Sequence, residues 1–189
     1  MSHTWAFKHN GYTALLPFHA EGHAILTPHR LGSPHHERIS DRVPRRSYRR
    51  RIALSADVTR GDSALRVVCT HLASHDEPTA RLQQAARVRL LTERSRDETV
   101  IVGDFNDHLE PGVVDTIRGE SHVDAWTVAG RRSSNGLTNP STAPFQRLDH
   151  VVVPDGFDVT ETWVPWPSDE WAALSDHLPV VVEVQIRSK

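Results

Sequence analysis

The sequence predicts a single α/β domain, and three observations carry that prediction. Apolar runs of strand length recur along the chain (RVVCT, TVIVG, VVVEV), and one segment, residues 77 to 96, spaces its apolar residues as a helix does. The strand-like runs stop abruptly at acids, amides or imidazoles. A chain of 189 residues is long enough to bury one core and short for two. With 38% apolar and 24% charged residues and a net charge of -2, it is neither a disordered chain nor a basic, non-specific nucleic-acid binder.

In chain order, GYTALLPFHAEGHAILTP (residues 11 to 28) holds two apolar runs separated by HAEG, which predicts two short strands joined by a turn. Residues 29 to 47 lose all periodicity and carry two prolines and many charges, so a long surface loop is expected there. YRRRIALSADVTR, a turn at Gly61 and Asp62, and ALRVVCTHL predict a hairpin. EPTARLQQAARVRLLTERSR places Leu82, Ala85, Ala86, Leu90 and Glu93 on one side of a helix. TVIVGD is a strand, and EPGVVDTIRGE is a short helix with acid and proline at its start and Gly119 at its end. A polar loop (residues 130 to 146) leads to the strands RLDHVVV and FDVTETWV, the turn-rich WPSDEWAALSDH and the last strand PVVVEVQI. Neither an internal repeat nor a linker divides the chain, so residues 1 to 189 are read as one domain.

The polar residues that close the strands are His71 after RVVCT, Asp104 and Asn106 after TVIVG, Asp149 within RLDHVVV, and Asp176 with His177 before the last strand. Strand ends of a twisted sheet form a common rim where ligands bind, so these groups are the candidate site. Their chemistry suits metal-assisted hydrolysis of a phosphoester, which needs oxygen ligands for a hard cation, an oriented water and donors to the phosphoryl oxygens. His71 and His75 stand four apart, but HLASH lacks the Glu of a zinc-protease helix. GDFND matches one element of the binuclear metallophosphatases, whose other elements are not found. His35 and His36 are expected to be solvent-exposed, as is the arginine cluster Arg42, Arg45, Arg46, Arg49, Arg50 and Arg51. Trp163, Trp166 and Trp171 are expected to be partly buried, with a role on a substrate-stacking rim as the alternative. The lone Cys69 is read as a buried strand residue without chemistry.

CTHL (69 to 72), GDFN (103 to 106), RLDHVVV (147 to 153) and SDHLPVVVEV (175 to 184), in that order, resemble the endonuclease/exonuclease/phosphatase superfamily, which has the deoxyribonuclease-I-like fold. GHAILTP resembles that family's GNAILSR strand, and Arg81 to Gln84 resembles the helix after its THL motif. The resemblance implies two packed mixed β-sheets flanked by helices, and a divalent-metal-dependent hydrolase of phosphoester bonds. It implies that His177 moves a proton at the attacked phosphate, held by Asp149, and that Asp104 orients or deprotonates the water. Asn106 and His71 would donate to the phosphoryl oxygens, His71 alternatively protonating the leaving group, and Asp176 would face magnesium or manganese.

The family pattern is incomplete at its start. Members open with a strand ending in Asn and, after a helix, a strand ending in Glu, the main metal ligand. Asn10 in KHNG and Glu21 between the two apolar runs are read as supplying neither. The expected sandwich therefore lacks its N-terminal strands. The open alternatives are a start upstream of Met1, a remnant that binds phosphate ligands without turnover, and a partner chain that completes the sheet by strand addition. The substrate is phosphorylated, with nucleic acid left open and unassigned. No apolar run of membrane-spanning length and no secretory leader is seen in the sequence, and a cytoplasmic location is expected.

Overall fold

The computed structural model describes residues 1–11, 19–44, 47–94, 98–107, 112–129 and 136–186. Its strands are β1 (Ser2–Gly11), β2 (His19–Thr27), β3 (Arg30–Arg38), β4 (Ile52–Arg60), β5 (Ser63–His71), β6 (Thr99–Asp104), β7 (His122–Asp124), β8 (Asp149–Pro154), β9 (Phe157–Trp163) and β10 (Val181–Ile186). The helices are α1 (Pro78–Glu93), α2 (Val113–Arg118), α3 (Ala125–Val128) and α4 (Asp169–Leu174). Six strands form one mixed sheet in the order β3-β4-β5-β6-β8-β7, in which only β5 and β6 run parallel. Parallel neighbours need a crossover, and α1 provides it.

Alternation along the central strands divides the apolar residues between the two faces of this sheet. Ala53, Val68, Ile101 and Val152 point to one face and pack on Ala85 and Val88 of α1 and Val113 and Ile117 of α2. The other face is covered by two separate antiparallel ribbons. Ala6 of β1 and Ile25 of β2 lie over Ile52, Leu54 and Ala56. Phe157 and Val159 of β9, with Val182 and Val184 of β10, lie over Val100, Val102, Val151 and Val153. The α/β sandwich is therefore present, with its second layer divided into two ribbons.

Several local expectations are corrected. HAEG is not a turn but the start of β2, paired with a strand, β1, that the opening residues give no hint of. On β1 the usual pattern is inverted: Trp5 and Phe7 face solvent while Lys8 is buried, so period-two reading points to the wrong face. The first predicted strand, ALLPF, falls outside the described residues. The expected loop at 29 to 47 contains β3, an edge strand exposed along most of its length. Strands with a single neighbour and little burial show no hydrophobic alternation, and Pro34 is tolerated there at a register shift between Gly32 and His35. The helix at 78 to 93 buries Arg81, Gln84, Ala85, Val88 and Thr92, whereas Leu82 and Leu90 are exposed. Polar anchoring, described below, sets its rotation in place of the leucines. Arg51 is not solvated either, being 7% exposed, and the partly exposed Arg50 is tied to the carbonyls of Phe7 and Lys8. Trp166 is 90% exposed, not core. Short β7 and α3 carry no readable sequence signal. Arg45 and Arg46 lie outside the described residues.

Gly103 is required by the sheet. It has φ +146, and a Cβ at that position would collide with the backbone carbonyl oxygen of Thr70 on β5. Gly103→Ala is expected to lower stability by about 3 kcal/mol, seen as a lower urea midpoint at unchanged slope. An unchanged midpoint would show that β5 and β6 do not need this close approach.

Candidate functional site

Strand register builds the site. His71 at the end of β5 pairs with Asp104 at the end of β6, and Asp104 pairs with Asp149 at the start of β8. Residues in register on neighbouring strands point the same way, so the three side chains form one row on the face that carries the ribbons. The nearest His71 and Asp104 atoms, Nε2 and Oδ2, are 3.5 Å apart.

Each member is fixed from below. Phe105, fully buried, anchors the chain between Asp104 and Asn106; its amide donates to the Leu148 carbonyl at 2.8 Å and its ring stacks on His150, centroids 5.3 Å apart. Asn106 adopts φ +52, a conformation Asn tolerates, so its amide donates to Asp104 Oδ1 at 2.9 Å. Its Nδ2 donates to the Leu72 carbonyl at 3.2 Å. The turn after His71 is held by α1: the Ala73 amide donates to Gln84 Oε1 at 2.8 Å, and Arg81 donates to the Ser74 carbonyl at 2.7 Å. These two bonds account for the burial of two polar residues on that helix.

His177 arrives from the other side. A strap at 138 to 141 grips the turn before β10. The Ser141 amide donates to the Asp176 carbonyl at 2.8 Å, Ser141 Oγ to the Ser175 carbonyl at 2.7 Å, and the Leu178 amide to the Thr138 carbonyl at 2.8 Å. His177 Nδ1 then lies 2.7 Å from Asp149 Oδ2. Trp171, Leu174, Leu178 and Pro179 line a pocket of about 290 Å³ against this pair. The Asp176 side chain is exposed at the rim.

Electrostatics separate the roles. Burial, reinforced by neighbouring Asp149, raises the Asp104 carboxyl to about 6. The hydrogen bond that His177 donates to Asp149 raises the imidazole above its ordinary value, against burial. Burial, with Lys8 and Arg51 nearby, lowers His71 to about 3, so its ring is neutral at neutral pH and acts as a hydrogen-bonding group. Burial likewise pushes the Cys69 thiol up to about 11, which leaves it inert.

The structure thus brings together His71, Asp104, Asn106, Asp149 and His177, and sets Asp176 beside them on the chain. It also adds groups that the sequence reading sets aside. Glu21 Oε1 is 3.9 Å from His71 Nδ1, and Glu21 pairs with Lys8 and His9 of β1. Arg51 acts through space on both Glu21 and Asp104. A charged residue at an inward strand position was the only available signal for Lys8, and it is legible only once the strand is known.

This arrangement, a mixed sheet faced by ribbons with His and Asp in register at its strand ends, defines the deoxyribonuclease-I-like class of α/β sandwich. The chain belongs to the Endonuclease/Exonuclease/phosphatase family, whose model matches residues 5–177. Its members are hydrolases of phosphoester bonds. Among solved structures it is similar to an endonuclease/exonuclease/phosphatase family protein from Leptotrichia buccalis (TM-score 0.78, 17% identity, covering 97% of this chain and 71% of that one). It is also similar to the human Nocturnin catalytic domain (TM-score 0.72, 16% identity, 98% and 73%) and to a Bacteroides thetaiotaomicron mannosyl-6-phosphatase (TM-score 0.62, 19% identity, 82% and 67%). These likenesses show the fold. No curated protein sequence matches the chain. Among the described residues no helix is long and apolar enough to cross a membrane.

Asp124 supports the site from beneath. It accepts from the Trp126 amide at 3.0 Å, lies 3.2 Å from His150 Nδ1 and is paired with Arg147. Burial opposes its charge, but the bond to His150 and the charge of Arg147 outweigh burial and hold its carboxyl at about 2. A depressed folded value means stability that is complete above the unfolded value and is lost as pH falls through the folded one. Asp124→Asn is expected to cost about 2 kcal/mol at pH 7, and the difference from wild type should close between pH 4 and pH 2 in denaturation series. A constant difference across that window would contradict the assignment.

Proposed function

We propose that this chain hydrolyses phosphoester bonds with the help of a divalent cation, using the row His71, Asp104, Asp149 and the facing His177. The observation that carries the proposal is the 2.7 Å contact of His177 with Asp149, in register with Asp104. Asp149 holds the imidazole in one orientation and favours its protonated form, which leaves Nε2 to meet the phosphoryl group and transfer a proton there. Asp104, raised to about 6, is ionised at neutral pH yet basic enough to orient a water and take its proton. Asn106 and neutral His71 donate to the non-bridging oxygens, where negative charge accumulates. His71 is too weakly basic to serve as the leaving-group acid, so that role passes to His177.

The family generally uses divalent metals. Among the described residues no three His, Cys, Asp or Glu side chains gather into a cage. Magnesium and manganese do not require one here, because magnesium takes one or two carboxylates and keeps its water. The Asp104 carboxyl, raised by partial burial and by the nearby Asp149 carboxylate, is the kind of group a hard cation relieves. Asp176 would hold the ion, which would neutralise charge on the phosphoryl oxygens, while Asp104 faces it through the water it orients.

His177→Ala and Asp149→Ala are each expected to reduce turnover of bis-(p-nitrophenyl) phosphate by about a hundredfold or more while leaving the thermal midpoint within a few degrees of wild type. Wild-type rates in either variant would remove the pair from catalysis. Asp176→Ala should instead raise the magnesium concentration that gives half-maximal rate, and an unchanged requirement would place Asp176 outside the metal shell.

A further inference from the structure

Strand β1 carries a β-bulge beside the site. Phe7 pairs with Gly22 and His9 pairs with Glu21, so Lys8 is the extra residue of the pair. A bulge re-aims side chains, and here it turns two successive residues inward: Lys8 is 2% exposed and His9 7%. Arg50 fastens it by donating to the carbonyls of Phe7, at 3.0 Å, and of Lys8. Both inward groups close on one carboxylate. Lys8 Nζ donates to Glu21 Oε1, and His9 Nε2 lies 3.3 Å from Glu21 Oε2. His71 Nδ1 is 3.9 Å from Oε1. Arg51, whose buried Nε has no hydrogen-bond partner among the described residues, adds positive charge that acts through space on Glu21.

The burial of this cluster is uneven. Lys8, His9 and Arg51 are buried, while the Glu21 side chain is 43% exposed. Burying Lys8 without a counter-charge would be costly, so the cradle needs an anion. It does not need that anion to be Glu21, whose side chain already reaches water, provided another anion takes its place beside Lys8. Across the His71 ring the cradle adjoins Asp104.

We propose that Lys8, His9, His71 and Arg51 form an oxyanion-binding cradle for a phosphoryl group, and that Glu21 is its resident occupant, displaced when a phosphorylated ligand binds. This deepens the phosphoesterase reading and rests on it for the ligand class. Like the carboxylate, a phosphoryl group is an acceptor-only anion, and its extra oxygen suits a third donor. Glu21 then acts as an internal competitor, lowering apparent affinity by the fraction of time it occupies the seat.

The test is calorimetric titration of inorganic phosphate and of dimethyl phosphate into wild type, Glu21→Gln, and the double variant Glu21→Gln with Lys8→Met. The double variant removes both charges of a buried pair and so avoids an isolated buried ion. Glu21→Gln is expected to bind at least one ligand about tenfold more tightly than wild type, with the gain lost in the double variant. Tightening for phosphate alone assigns a terminal phosphoryl group, and tightening for dimethyl phosphate assigns an internal diester; either supports the cradle. Equal affinity of wild type and Glu21→Gln for both ligands overturns it, whatever the hydrolysis assay shows. A gain that survives in the double variant also overturns it. Tightening by Glu21→Gln in a chain that hydrolyses nothing leaves the cradle standing and removes the turnover reading instead.

Discussion

The parallel pairing of β5 with β6 is the constraint on which the rest of the site depends. It puts His71 level with Asp104, and the antiparallel pairing of β6 with β8 then puts Asp149 level with both. A slip of one residue would turn each of these side chains to the helix-covered face. Gly103 lets the strands approach at the position before Asp104, and α1, the crossover, is anchored by Arg81 and Gln84 to the turn that follows His71. The same helix therefore covers the core and positions the site, which explains why polar residues and not leucines set its rotation.

The second organising principle is charge. Carboxylates and cations are brought against both faces of the sheet, His71, Asp104 and Asp149 on the ribbon side and Asp124 with His150 on the helix side, where the low dielectric magnifies both attraction and repulsion. The outcomes differ. Burial, helped by Asp149, raises Asp104; burial, helped by Lys8 and Arg51, keeps His71 neutral; at Asp124 the bond to His150 and the charge of Arg147 outweigh burial and lower the carboxyl. Groups of the same chemical type thus acquire different duties, and no reading of residue type alone assigns them. Trp171 and Leu174 flank the His177 and Asp149 end of the site, and Glu21 flanks its His71 end.

Much of this was legible from the chain. Motifs at strand ends name His71, Asp104, Asn106, Asp149 and His177, because such residues are local punctuation: the strand stops where the polar group begins. The hairpin at Gly61 and the strands β6, β8, β9 and β10 read directly, since each carries a short run of apolar residues. What did not read was structure whose apolar pattern is weak or reversed. Strand β3 is exposed on both faces, and β1 turns its aromatic residues to solvent and its lysine inward.

By itself the sequence determined the α/β class, the family and the identity of the strand-end residues, because each of these is written in short, contiguous patterns. Only the tertiary structure decided that Lys8, Glu21 and Arg51 join the site and that Leu82 and Leu90 lie outside the core. Whether a polar side chain is buried depends on which strand or helix lies across from it, and that partner is far away in sequence. Register and the bulge at Lys8 are properties of pairs of strands, and one strand's sequence does not contain them.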